Sequence, residues 1–419
     1  MENIFTQYRG LKKEIYILFV GKLVTAMGSF VWPMLTFFLT TKLGLSDGIS
    51  TFLIATASIL SLPAALLGGK LADRYSRKSI IILFDIMTVS LYILSAILPI
   101  GYYTAAFVFL AGLFQTIETP AYDALNSDFS TTEQREKAFS LSYLGFNLGY
   151  IVGASVSGIL FENYTWLAFL LNGVSILSST ILIILFVDMK KAVTESADME
   201  QFYSEYERPM DEKLSVFSVL KDRKVVLGMM LIGCVASMPT NLTGILLPLQ
   251  LKENLGQTGA SIYGYLNSLN GFTVILLTPL LTILLIRFTE IPKVTLGHLL
   301  FTAGMVLFAL NKAIWLLFVG MFIYTIGEVV SVLGNNPYTS KRIPSSHRGR
   351  VGGISSVVYS LFSSLTQYAI SAVLILSGSN YPLIWTIFIV IGIIACLLFA
   401  FCYRFDRKRF PNLYQNAKL

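Results

Sequence analysis

The chain has 419 residues, of which 55% are hydrophobic and only 13% charged, with a mean hydropathy of +0.69. Soluble domains carry roughly 25% charged residues, so this composition fits a bilayer and excludes most soluble enzymes, DNA-binding proteins and secreted disulfide scaffolds. Cys234, Cys396 and Cys402 all sit in apolar runs, which implies neither a disulfide framework nor a zinc site.

A helix that crosses the hydrocarbon core needs about 20 mostly apolar residues. On that measure the sequence offers twelve spans. The first six are Ile15–Leu39, Ile49–Gly69, Ser79–Leu98, Tyr102–Ala124, Ala138–Phe161 and Tyr164–Val187. The second six are Val225–Leu251, Ser261–Ile286, Val294–Leu310, Ile314–Ser340, Val351–Leu376 and Tyr381–Tyr403. The runs are long and continuously apolar, without the ten-residue alternation of barrel strands, so an all-α membrane protein is expected.

The basic residues orient these spans. Of 31 Lys and Arg, 27 fall on the side holding both termini, against Lys42, Lys252 and Lys312 on the other; Lys22 lies inside span 1. Positive residues accumulate on the cytosolic side, which puts both termini in the cytosol of a cell membrane. The net charge of +7 is therefore topological, and no nucleic-acid partner is expected. The first apolar segment is full length with no small-residue cleavage site, and reads as a retained helix.

Residues 188–224 form the longest connection, with 9 acidic and 7 basic residues. They divide residues 1–187, a six-helix bundle, from residues 225–419, a second bundle with its cytosolic tail. Leu214, Phe217 and Leu220 share one helical face at the end of this linker, which suits either a short surface helix or a plain connection. The halves echo each other. Pro63 precedes Arg77-Lys78 much as Pro279 precedes Lys293, and Pro120 and Tyr122 match Pro337 and Tyr338. Repeats of this kind place a binding site near the midplane.

The loop between spans 2 and 3 reads Gly68-Gly-Lys-Leu-Ala-Asp-Arg-Tyr-Ser-Arg-Lys78. It closely resembles the signature loop of the major facilitator superfamily. Gly69, Leu71, Ala72, Asp73, Arg74, Arg77 and Lys78 match, and Ser76 stands where the family usually has Gly. The resemblance covers the whole chain and implies two pseudo-symmetric six-helix bundles that move between inward- and outward-open states. It also implies that this loop latches the halves on the cytosolic side. Span 5 carries Gly145, Gly149, Gly153, Ala154, Ser157 and Gly158. That run is similar to the antiporter signature of drug exporters, with Ala154 in place of its proline. Small residues four apart also serve plain helix packing. Spans 1 and 3 look like macrolide exporters, and Gly327-Glu328 looks like multidrug proton antiporters.

Five charged residues fall inside spans: Lys22, Asp85, Glu118, Asp123 and Glu328. Each costs roughly 2.5–3.5 kcal/mol at a helix centre on insertion scales. Asp123 lies at a helix end within reach of water. Asp85 is expected to brace the loop residues Arg77 and Lys78. Gln115, Glu118, Tyr122 and Asn126 share one face, as do Lys22, Thr25, Ser29, Trp32 and Thr36, so Lys22 and Glu118 are expected to pair. A Lys22 that snorkels to the interface is the alternative. Glu328 lies mid-span on a face with Tyr324, Ser331, Asn335 and Tyr338. It is the foremost candidate for proton coupling, with Glu118 the second; a structural buried acid is the alternative.

The expected substrate cavity is aromatic and amide-rich: Trp32, Tyr122, Tyr143, Asn147, Asn241, Asn267, Asn270, Asn335, Tyr338 and Tyr359. Such a lining suits amphipathic or aromatic molecules. The expectation is a monomeric exporter of amphipathic small molecules by proton antiport. Uptake, or export of one metabolite, lipid or peptide, is the alternative on the same fold. No cofactor or metal is expected. His298 and His347 are the only histidines, and neither a His-Glu-x-x-His helix nor a nucleotide-binding Gly-x-x-x-x-Gly-Lys loop occurs.

Overall fold

The computed structural model describes residues 8–130, 132–189, 216–256, 258–310, 313–343 and 345–415. Among them the regular structure is helical. In chain order it comprises α1 (Lys13–Met27), α2 (Leu35–Phe37) running into a π-helical turn (Phe38–Lys42), α3 (Asp47–Arg74), α4 (Arg77–Ile97) and α5 (Tyr102–Asp128). Then follow α6 (Thr132–Asn163), α7 (Thr165–Phe186), the short α8 (Val216–Asp222), α9 (Lys224–Leu255) and α10 (Thr258–Leu284). The last are α11 (Glu290–Leu310), α12 (Ile314–Arg342), α13 (Ser345–Ser377), α14 (Tyr381–Arg409) and α15 (Asn412–Gln415). Most of the predicted linker, Leu214 included, lies outside the described residues; its last part forms α8.

Every predicted span falls on a helix, and ten of these helices are long and apolar enough to cross a bilayer. The other two differ for separable reasons. The first span is not continuous: α1 ends at Met27, and residues 28–34 are non-helical before the chain becomes helical again at Leu35. Pro33 pushes Trp32 away from helical dihedrals, and Gly28 supplies a close approach. A Cβ there would meet the Ser175 Oγ at 1.8 Å and the Leu171 carbonyl at 3.3 Å. In α5, by contrast, Gln115, Glu118, Asp123 and Asn126 dilute the apolar character of an unbroken helix.

The chain packs as two compact units. One comprises Met1–Ser46, Thr56–Glu200 and Pro248–Phe272; the other comprises Asp47–Ala55, Gln201–Leu247 and Thr273–Leu419. The division by chain order is thus crossed at the ends of three helices. In the first unit, the start of α10 meets α6: Ser261 donates to Glu162 Oε1 through its hydroxyl at 2.7 Å, and the Ser155 and Ser268 hydroxyls bond at 2.7 Å. In the second, the start of α3 is held by Tyr381, whose hydroxyl donates to Asp47 Oδ2 at 2.5 Å, and by Ser371, which donates to the Gly48 carbonyl at 2.7 Å.

Small residues set how closely the helices approach. Cβ atoms at Gly145, Gly149 and Gly153 of α6 would collide with Phe19, the Leu23 carbonyl and the Ala26 carbonyl of α1. The antiporter-like stripe therefore seats α1 against α6. Gly297 and Gly327 play the same part between α11 and α12, each within 2.7 Å of the other's carbonyl once a Cβ is added. In the signature loop the packing glycine is Gly68, not Gly69. A Cβ at Gly68 would lie 2.2 Å from the Ile117 carbonyl, whereas Gly69 has nothing within 4 Å. Gly68→Ala is expected to lower the thermal midpoint of the purified protein by several degrees, whereas Gly69→Ala leaves it unchanged. Equal shifts for the two variants would contradict this packing.

Candidate functional site

Two groups of polar side chains are buried among the spans, one in each unit. In the first unit, Gly21 lets α1 come close to α5 and α7; a Cβ there would meet the Ser179 Oγ at 2.7 Å and the Tyr122 hydroxyl at 3.4 Å. This approach carries the adjacent Lys22 over the Tyr122 ring, 5.0 Å from its centroid. The Tyr122 hydroxyl donates to the Leu18 carbonyl at 2.6 Å and so fixes the ring beneath the ammonium. Asp85 of α4, only 5% exposed, accepts from the Thr180 hydroxyl of α7 at 2.6 Å.

Asp85 and the half-buried Glu118 of α5 also act on each other electrostatically. Lys22 acts electrostatically on Asp85, Glu118 and Asp123. The expected Lys22–Glu118 interaction is thus part of a wider cluster. Asp85 belongs to it as well, and its hydrogen bond runs to Thr180 of α7 rather than to Arg77 or Lys78. Lys22→Met and Glu118→Gln are expected to be non-additive in a double-mutant transport cycle. Strict additivity would contradict the coupling.

The loop residues are used within the first unit. Arg77 is paired with Asp128 at the end of α5. Lys78 donates to the Ile184 and Val187 carbonyls at 2.9 and 2.7 Å, capping α7. Arg74 is exposed and packs against Tyr75, 5.7 Å from its ring centroid. The side chain of Asp73 lies outside the described residues.

In the second unit α9, α11, α12 and α13 enclose a cavity of about 530 Å³. Such volumes are typical of small-molecule sites. Glu328, half-buried, lines it together with Tyr324, Ser331, Asn335 and Tyr338, the whole face expected for span 10. Tyr359 lines it from α13, close against Gly233, whose Cβ would meet the Tyr359 hydroxyl at 2.0 Å. The apolar part of the wall comes from residues such as Met229, Met230, Phe301 and Val332.

His298 also faces this cavity and was not among the expected site residues. It stacks on Phe399 at 5.1 Å, and its Nε2 lies 3.5 Å from the Ser331 Oγ, which accepts from Asn335 Nδ2 at 3.2 Å. The signal available was a lone imidazole beside Gly297 in an apolar span.

Below the cavity, Tyr338 donates to Asp406 Oδ1 at 3.0 Å. Asp406 is gripped by Arg342, with Nε at 2.9 Å from Oδ1 and Nη2 at 2.5 Å from Oδ2, and by the Tyr414 hydroxyl at 2.5 Å. The Arg342 and Asp406 side chains are both 0% exposed. Glu290 completes the network, accepting from Arg342 Nη1 at 3.3 Å and from Lys341 at 2.7 Å. Tyr338 is therefore a cavity wall whose hydroxyl is already committed.

Of the remaining expected cavity residues, all but Asn241 belong to the first unit. Trp32 packs its ring against Gly112, Tyr122 is buried under Lys22, and Tyr143 is exposed. Asn147 and Asn267 donate back to the carbonyls of Tyr143 and Tyr263, one helical turn earlier, at 2.8 and 3.0 Å. Asn241 and Asn270 are half-buried.

The Major Facilitator Superfamily model matches residues 17–366 and, separately, 229–416. Among similar proteins is a Na(+), Li(+), K(+)/H(+) antiporter of Planococcus maritimus, 24% identical over 91% of this chain and 94% of its own. Another is macrolide efflux protein A of Streptococcus pyogenes, 28% identical over 37% of this chain and 40% of its own. Among solved structures, a peptide transporter POT in complex with sulfate aligns with a TM-score of 0.75 at 15% identity, covering 96% of this chain and 95% of that one. That likeness concerns the fold. With a match spanning nearly the whole sequence, the chain belongs to the Major Facilitator Superfamily and is a multi-pass secondary transporter.

Proposed function

We propose that this transporter exports amphipathic small molecules, cationic ones foremost, in exchange for protons. The observation that carries this reading is Glu328, a carboxyl inside a cavity walled by Met229, Met230, Phe301, Tyr324 and Tyr359. An aromatic and thioether wall accepts varied apolar shapes. The single carboxyl answers a positive charge on the substrate or takes up a proton in its place. Protonation and substrate binding then exclude each other at Glu328, which is the physical basis of exchange. Glu118, on which Asp85 and Lys22 act electrostatically, is the second proton-handling group. The antiporter and efflux relatives support exchange and export respectively.

A second reading is antiport of monovalent cations against protons, favoured by the similarity to the Planococcus antiporter along nearly the whole chain. Proteoliposomes containing a pH-sensitive dye separate the two. Lipophilic cations are expected to trigger proton movement, with neutral macrolides and organic anions as comparisons. A response to sodium, lithium or potassium chloride alone would favour the second reading, and silence across the panel would contradict the first.

A further inference from the structure

Two adjoining hollows lie between α11 and α14 in the second unit, away from the Glu328 cavity. The first, about 390 Å³, is walled by Pro292, Thr295, Leu296, Leu299, Ala400 and Tyr403. The second, about 240 Å³, shares Pro292 and Tyr403 with it and is otherwise lined by Arg287, Phe288, Thr289, Arg407 and Tyr414. An apolar groove thus runs into a basic pocket at the ends of α10 and α14. We propose that this pair of hollows is a binding site for one anionic phospholipid, its phosphate held by Arg287 and Arg407 and an acyl chain lying along Leu296 and Leu299.

The local charge balance supports a headgroup anion. Asp406 and Glu290, the acids nearest by sequence and packing, are answered by Arg342 and Lys341. The Tyr414 hydroxyl is likewise spent on Asp406. Arg287 and Arg407 are exposed and form no ion pair among the described residues, so their positive charge remains to be answered.

Thr289 supplies a hydroxyl donor, and Arg presents a planar fork that matches phosphate. Tyr403 marks the junction. Its ring packs edge-on against Tyr414 at 5.5 Å, in the place where amphipathic aromatics meet headgroups. Flanking residues suit a bilayer boundary: Ile286 is 74% and Phe288 56% exposed beside Arg287. Basic pockets between spans attract anionic headgroups in this way. The buried Arg342 network holds Tyr414 in place, so the pocket has a fixed floor.

The test is native mass spectrometry of the full chain in detergent, titrated with phosphatidylglycerol, phosphatidylcholine or inorganic phosphate. The wild type is expected to retain phosphatidylglycerol in preference to phosphatidylcholine. Arg287→Gln with Arg407→Gln is expected to weaken phosphatidylglycerol retention about thirtyfold, at one cation's worth of attraction for each arginine. Leu299→Trp, which fills the groove and leaves both arginines, is expected to weaken retention of the lipid but not of phosphate. Equal retention of the two lipids by the wild type would overturn the site. So would an unchanged preference in the double arginine variant, or phosphate binding as tightly as the lipid.

Discussion

Glu328→Gln is expected to leave the protein folded and its substrate-driven proton signal no greater than that of protein-free vesicles. The amide is nearly the same size and keeps an acceptor oxygen, so the wall formed with Tyr324, Ser331 and Asn335 survives. What is lost is the ability to exchange a proton for a positive charge. Cationic substrates are expected to bind more weakly to the variant, while neutral ones of the same shape are little affected. Proton movement at wild-type rates would remove Glu328 from the coupling step and leave it a structural acid. The matching change at Glu118 is expected to be milder, because Asp85, a second carboxyl on which Lys22 acts, remains.

Breaking the ion pair at Arg342 is expected to have the largest effect on stability. Arg342 and Asp406 are both fully buried, and Asp406 accepts from Tyr338 and Tyr414 as well. Asp406→Ala leaves the buried guanidinium only Glu290, at 3.3 Å, to answer it, and breaking a buried pair from one side costs about 3–5 kcal/mol. Arg342→Met strands the carboxylate instead. The double variant is expected to be less damaged than the sum of the two, since no unpaired charge is left. Thermal unfolding in detergent, followed by monodispersity, reads all three. If the single variants unfold like the wild type, the network does not hold α11, α12 and α14 together. Because Tyr338 also walls the cavity, a loosened Asp406 is expected to weaken substrate binding in the same samples.

Much of the fold was legible because a bilayer imposes one strong demand, long apolar helices, and ten of the twelve apolar runs meet it in full. The break in the first span was not, although Pro33 marks it, because residues 28–39 stay predominantly apolar. The face of α12 was readable from spacing alone: Tyr324, Glu328, Ser331, Asn335 and Tyr338 all reach the cavity. A polar stripe on one helix is local information. Partners on other helices are not. Nothing in the spacing of Asp85, Glu118 and Thr180 shows that three helices bring them together. Arg342 and Asp406, 64 residues apart, read as boundary charges because each stands at the end of an apolar run.

The amides were the weakest guide. An Asn on a helix has a near and inexpensive partner in the carbonyl one turn back, and the half-buried Asn147 and Asn267 take it. His298 was passed over for the converse reason, since a single imidazole has no spacing to read. Its place is evident only once α11 lies against α12, where Gly297 and Gly327 allow the helices to touch.

The central claim is that substrate and protons move in opposite directions through one coupled cycle. The most direct measurement is substrate flux in proteoliposomes under an imposed pH gradient, with the membrane potential clamped. A lipophilic cation is expected to accumulate on the acidic side against its own gradient and to stop when the pH difference is collapsed. Accumulation indifferent to the pH difference, or directed toward the alkaline side, would contradict exchange.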